Sequence, residues 1–140
     1  PSKYNELYKK FRNLNTMLAW CHSRVIDSVA TQTKCIDVLI DQFASEHVVA
    51  NAVKKLNIEI NLKQRHKGES DPVVAAASIL ARAAFVEGLD KLGKHYQMEL
   101  PKGASKAVVQ AGRKFVRAQG EAELDGVAKM HFKTIAEIKS

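Results

Sequence analysis

The stretch HKGESDPVVAAASILARAAF, residues 66–85, decides how the rest of the chain is read. A basic loop containing Gly68 carries one carboxylate, Glu69, and opens directly into a helix. Asp71 is a good N-cap, Pro72 fits the first helical position, and no breaker follows until Gly88. From Val73 to Ala81 there is no charged residue, so this half of the helix has no solvated face and is expected to be wrapped by other elements. Ala77, Ser78 and Ala81 put small residues on one side, where another backbone can come close. A carboxylate just ahead of such a helix lies at the positive end of its dipole and beside Lys67. It should stay ionised near neutral pH, which suits a metal ligand. A plain solvated loop residue is the alternative for Glu69, and this stretch alone does not choose between them.

Upstream of this loop, residues 57–63, NIEINLK, alternate cleanly, with Ile58, Ile60 and Leu62 against Glu59, Asn61 and Lys63, and predict a half-solvated strand at a sheet edge. Before it, residues 46–56 predict a short helix with Val48, Val49, Ala52, Val53 and Leu56 as its apolar side. Residues 35–41, CIDVLID, predict an apolar strand with Ile36, Val38 and Ile40 on one face and Asp37, Leu39 and Asp41 on the other. Strand, helix, strand is a βαβ unit, which requires parallel strands. Asp41 comes at the C-terminal end of its strand, where open α/β sheets place their ligands. Capping of the next turn is the competing role for it. The first strand is apolar enough to need cover on both faces and a second neighbour. No other segment reads as a strand, so the missing strands are expected upstream.

Residues 3–29 predict one long amphipathic helix capped by Ser2, with Tyr4, Leu7, Tyr8, Phe11, Leu14, Leu18, Cys21, Val25 and Val29 recurring at three- and four-residue steps. Trp20 and His22 read as packing residues. Downstream, Pro101 and Gly103 build a turn in MELPKGAS, and Ser105 caps a helix over 106–119 that stops at Gly120. Lys106, Gln110, Arg113, Lys114 and Arg117 fall in one stripe of that helix; Val108, Val109, Ala111, Phe115 and Val116 fall in the other half. No acid interrupts residues 100–120. A basic stripe beside a glycine turn suits phosphate contact. The remainder predicts a short helical turn to Asp125 and a last helix containing Met130, Phe132, Ile135 and Ile138.

Net charge is +7, from 22 Lys and Arg against 15 Asp and Glu, a balance that attracts polyanions, nucleic acid first. The 46% hydrophobic content excludes a disordered chain. No uninterrupted apolar run reaches the roughly 18–20 residues of a membrane span, and no signal-peptide pattern is read at the start, so a soluble cytoplasmic protein is expected, without a membrane partner. Cys21 and Cys35 do not have the spacing of a zinc site or a CxxC pair and read as reduced thiols. The opening PSKYNEL, without Met, suggests a fragment.

Taken together, LNTMLAWCH at 14–22, IDQF at 40–43, HKGES and VAAASILAR within 66–82, LPKGAS at 100–105 and KMHF at 129–132 resemble ribonuclease HIII over the whole length of this chain. The resemblance covers the C-terminal half of that family's catalytic domain. It implies part of a ribonuclease H-like α/β fold: two parallel strands of a larger mixed sheet with about five helices. It also implies cleavage of the RNA strand of RNA/DNA hybrids with Mg2+ or Mn2+ held by four carboxylates. The third of these matches Asp41 and the fourth, a Glu in this family, matches Glu69. By the same resemblance Glu69 serves the ion that carries the attacking water and Asp41 the ion on the leaving group. Lys67, Lys102, Gly103 and Ser105 would hold the substrate backbone, joined by Lys106, Arg113 and Arg117 of the basic stripe. The adjacent Asp-Glu pair that supplies the first two carboxylates is absent from this sequence, as is the family's N-terminal substrate-binding domain. The isolated chain is therefore expected to be inactive without the upstream half. Ala104 stands where ribonuclease HII has the Tyr that reads the RNA–DNA junction, which puts junction specificity in doubt. A basic nucleic-acid-binding module without catalysis is the alternative.

Overall fold

The computed structural model describes residues 1–56 and 58–140. In chain order the elements are α1 (Ser2–Phe11), α2 (Leu14–Thr33), β1 (Asp37–Asp41), α3 (Glu46–Val53), β2 (Asn61–Arg65), α4 (Pro72–Tyr96), α5 (Lys106–Gln119), α6 (Leu124–Val127) and α7 (Lys133–Lys139). Short 3₁₀ turns at Gly68–Ser70 and Glu121–Glu123 precede α4 and α6. The chain forms two compact units, one of Lys10–Ala81 and one of Pro1–Lys9 with Arg82–Ser140.

In the first unit β1 and β2 pair in parallel, in register from Asp37 opposite Asn61 to Asp41 opposite Arg65, with α3 between them. This is the βαβ unit required by the two apolar runs. Within Asp37–Asp41 the alternation of β1 reads out as expected, but Cys35 and Ile36 of the predicted 35–41 lie ahead of the strand and Ile36 is exposed instead of on the core face. Ile40 is buried and Val38 partly buried, in a core with Ala19 and Ile26 of α2 and Val49 and Val53 of α3. Asp37 and Asp41 on the other face are exposed. β2 runs Asn61–Arg65 rather than over the predicted 57–63, whose first residue, Asn57, lies outside the described residues. Ile58 and Ile60 still pack on the core. Alternation reports which residues face the core, whereas the extent of a strand is set by pairing with its neighbour.

The long first helix divides in two. Arg12 takes a left-handed backbone, φ 52°, and Asn13 caps α2, its Oδ1 accepting from the Thr16 N–H at 2.9 Å. The apolar spacing runs straight across this break and conceals it. Ser2 lies inside α1 and its hydroxyl donates to the Asp125 carbonyl. With this division and the separate α6 and α7, seven α-helices stand among the described residues instead of about five. Met130 and Phe132 precede α7 instead of lying in it.

α4 starts where Asp71 and Pro72 predict, with the Val73 N–H donating to Asp71 Oδ1 at 2.9 Å. It continues through Gly88 to Tyr96 and ends with Gln97 in the left-handed region and the Met98 N–H on the Gly93 carbonyl. None of its residues is buried. The expected wrapping is therefore not found among the described residues. At this length α4 is also apolar enough to cross a membrane, contrary to the expectation from uninterrupted runs. A core helix without its cover meets the same length and composition.

In the second unit Phe115, Leu124, Ile135 and Ile138 form the core, joined by Tyr96, Met98, Leu100, Val109 and Val116. α1 is fastened to this unit by Asn5, which is buried. Its Nδ2 donates to the carbonyls of Asp125 and Ala128 at 3.1 and 2.9 Å, and its Oδ1 accepts from the Met130 N–H at 2.9 Å. Tyr8 stacks on His131 with ring centroids 3.8 Å apart.

Candidate active site

β1 ends at Asp41 and β2 at Arg65, its register partner. The Gln42 N–H donates to the Arg65 carbonyl at 3.0 Å, closing the ladder. Beyond β2 the chain turns sharply at Lys67, a non-glycine residue at φ 54°. The turn is held by the Ser70 N–H on the Lys67 carbonyl, the Asp71 N–H on the Gly68 carbonyl, and Arg65 Nη2 on Ser70 Oγ. Gly68 is thereby pressed onto the end of β1. Its N–H donates to Asp41 Oδ1 at 2.8 Å, and a Cβ at this position would lie 2.9 Å from Asp41 Cα and 3.1 Å from Asp41 Cβ and N. Its φ is outside the left-handed region, so glycine is required here for space and not for backbone freedom.

Glu69 follows Gly68 directly, so one short hydrogen bond brings the loop carrying Glu69 onto the strand end carrying Asp41. Both carboxylates are exposed. Among the described residues Asp41 Oδ2 and the Glu69 carboxylate accept no hydrogen bond, whereas Asp71 is committed to capping α4. Hard, anionic, unengaged oxygens suit Mg2+ or Mn2+. Among the described residues, however, no three His, Cys, Asp or Glu side chains are grouped to hold a metal ion.

Lys67 lies in the same unit as Asp41 and Glu69; Lys102, Gly103, Ser105, Lys106, Arg113 and Arg117 lie in the other. Gly103 has φ 95°, which the turn requires of a glycine. Ser105 occupies the N-cap position of α5, but its side chain makes no capping hydrogen bond. α5 divides as expected: Phe115 is buried and Val109 and Val116 pack beside it, while Lys106, Arg113, Lys114 and Arg117 are exposed. Arg113 has a second partner that its place in the stripe conceals. Its Nη2 donates to the Glu137 carbonyl at 2.8 Å, at the C-terminal end of α7. Arg117 makes no such bond among the described residues. His22 stacks on Phe43 at 5.0 Å, and burial holds its pKa below the ordinary histidine value, in keeping with a packing role. The residue that sequence reasoning missed is Gly68, whose role rests on a contact with Asp41 that no local pattern contains.

The chain is an α/β protein with one carboxylate at the end of the first strand of its parallel βαβ unit and a second on the loop behind the partner strand, and it shares its fold with solved ribonuclease HIII structures. The chain belongs to the ribonuclease HII family, whose sequence profile, described as Ribonuclease HII, matches residues 2–135. Within it, the chain is similar to ribonuclease HIII of Protochlamydia amoebophila (strain UWE25), 49% identical over 138 residues that make up 99% of this chain and 46% of that one. Ribonuclease HIII of Chlamydia pneumoniae is also 49% identical, over all of this chain and 48% of that one. The crystal structure of Bst-RNase HIII in complex with Mn2+ superposes with a TM-score of 0.89 at 28% identity, covering 99% of this chain and 47% of that one. The chain thus spans about half the length of the curated relatives it matches.

Proposed function

We propose that this chain is the C-terminal part of the catalytic domain of an endonuclease that cleaves the RNA strand of RNA/DNA hybrids. Mg2+ or Mn2+ is its cofactor, and Asp41 and Glu69 are two of its metal-binding carboxylates. The observation that carries the proposal is the 2.8 Å hydrogen bond from the Gly68 N–H to Asp41, which brings the Glu69 loop to the strand end. Divalent ions bound at such a site supply an activated water and neutralise the leaving oxygen. In this chain the Gly68 amide fixes one oxygen of Asp41 and leaves the other for the cation. The short 3₁₀ turn offers Glu69 from the opposite segment. The acid-free face of α5, above all Lys106 and Arg117, takes backbone phosphates with Lys102, Gly103 and Ser105, while Lys67 does so beside Glu69. Two carboxylates do not hold a pair of ions, so the 140 residues alone are inactive and turnover needs the upstream half. Action in the cytoplasm is in keeping with the free thiols of Cys21 and Cys35.

The absence of a third ligating side chain among the described residues favours one other reading, a basic nucleic-acid-binding module without catalysis. Metal separates the two. With the upstream half supplied, a labelled RNA/DNA hybrid should be cut in Mg2+ or Mn2+, and Asp41→Asn should bind the hybrid as well as the parent while losing most turnover. Binding without metal-dependent cleavage would leave the binding module as the function.

A further inference from the structure

Glu69 is held from both sides by bonds to the ends of neighbouring strands. Gly68, just before it, donates to Asp41 at the end of β1 at 2.8 Å. Ser70, just after it, accepts at Oγ from Nη2 of Arg65, at the end of β2, at 3.0 Å. The two anchors stand opposite each other, because Asp41 and Arg65 are register partners and their side chains leave the same face of the sheet. The turn needs holding. Lys67 takes a left-handed backbone at φ 54°, a conformation that a non-glycine residue keeps only where its surroundings over-determine it. Glu69 and Ser70 are exposed, so burial adds little to the bonds around them. Among the described residues the guanidinium of Arg65 forms no ion pair with Asp41, Glu69 or Asp71, which leaves its bond to Ser70 as the link between β2 and the far side of Glu69.

We propose that Arg65 is a positioning residue for the metal site: through Ser70 Oγ it sets where the Glu69 carboxylate stands relative to Asp41, and so how tightly the site takes Mg2+ or Mn2+. The proposal rests on the function proposed above. Two other roles for Arg65 differ from it in sign or in readout. Charge alone would have Arg65 repel a divalent ion, so its removal would tighten metal binding. A direct contact with a substrate phosphate would show in hybrid binding and its salt dependence, and not in metal affinity. Positioning loosens metal binding when Arg65 is lost, and to the same extent when Ser70 is lost, because a carboxylate on a turn freed at one end has to be ordered as the ion binds.

The test compares Arg65→Met, which keeps the aliphatic stem in β2, and Ser70→Ala with the parent, on the enzyme completed by its upstream half. Mn2+ titrated into each, read from the EPR signal of the free ion, should bind about three- to tenfold more weakly in both variants, the worth of one hydrogen bond. The double variant should lose no more than either single one, since both remove the same bond. In the metal-free enzyme, exchange of the Ser70 and Asp71 amides should quicken by about the same factor, while exchange at Ile40, buried in β1, stays as in the parent. The KM for hybrid should not change. Mn2+ binding that is unchanged or tighter in Arg65→Met, losses that add in the double variant, or a raised hybrid KM to which Ser70→Ala is indifferent would each overturn the proposal. A lower Tm with unchanged Mn2+ binding would overturn it as well and leave Arg65 a residue of strand stability alone. A parent enzyme that binds no Mn2+ would refute the function proposed above together with this inference, whereas a parent that binds Mn2+ regardless of Arg65 would refute this inference alone.

Discussion

Gly68→Ala tests the arrangement at the strand end. The new Cβ would sit 2.9 Å from Asp41 Cα and 3.1 Å from Asp41 Cβ and N. Carbon–carbon contacts ordinarily settle at about 3.5–4.0 Å, so the loop or the strand must move by roughly 0.5–1 Å. The atoms struck belong mainly to backbone, which cannot swing aside as the tip of a long side chain can. Overpacking of this kind costs about 1–3 kcal/mol. Stretching the bond from the Gly68 N–H to a carboxylate adds to that, up to about 1.5–3 kcal/mol if it breaks. Against this, alanine narrows the unfolded ensemble and returns about 0.4–1 kcal/mol. The balance is a destabilisation of up to about 2.5 kcal/mol if the Gly68 bond survives and of about 1.5–5.5 kcal/mol if it breaks. A shift near 1 Å between groups that must converge costs about a hundredfold in turnover. Urea unfolding and hybrid-cleavage kcat, both on the enzyme completed by its upstream half, measure the two effects. Gly88→Ala is the control: its Cβ meets nothing within 4 Å, it lies inside α4, and it should gain about 0.5–1 kcal/mol with kcat unchanged. If Gly68→Ala behaves like Gly88→Ala in both measurements, the packing of the glycine on Asp41 does not hold the site together.

Glu69→Asp should outperform Glu69→Gln in kcat by more than about tenfold at saturating metal, because charge at the cation outweighs side-chain length; the reverse order would remove Glu69 from the ligand set. Lys106→Ala with Arg117→Ala should flatten the slope of log K against log salt by about 0.9 for each phosphate that is no longer neutralised, measured on hybrid binding. Arg113→Ala should in addition lower stability by about 0.5–1.5 kcal/mol, because it surrenders the Glu137 carbonyl, whereas Arg117→Ala should stay within about 0.5 kcal/mol of the parent. His22, whose pKa burial lowers, stays neutral in the folded state while the unfolded chain takes up a proton. Its stabilising share is therefore complete above the ordinary histidine value of about 6.5 and is lost as pH falls below it. Its NMR titration midpoint should lie below that value, and the fall in Tm on acidification should shrink in His22→Gln.

The sequence by itself determined the parts of this protein that local chemistry specifies. Asp71 and Pro72 start α4 where a cap and a first-turn proline must, CIDVLID sorts Val38 and Ile40 from Asp37 and Asp41 by the two-residue period of a strand, and α5 divides into a basic and an apolar face. Asp41 and Glu69 were legible as candidates from their places at a strand end and ahead of a helix. Tertiary structure decided what depends on distant partners. β2 begins at Asn61 because its limits are set by pairing with β1, not by its own alternation. Arg113 is tied to Glu137, a contact between α5 and α7 that a helical wheel does not contain. The break at Arg12 and Asn13 leaves the apolar spacing of the first helices intact and so left little trace in it. Gly68 belongs with these, since its lack of a side chain matters only because Asp41, remote in sequence, occupies the space where a Cβ would lie.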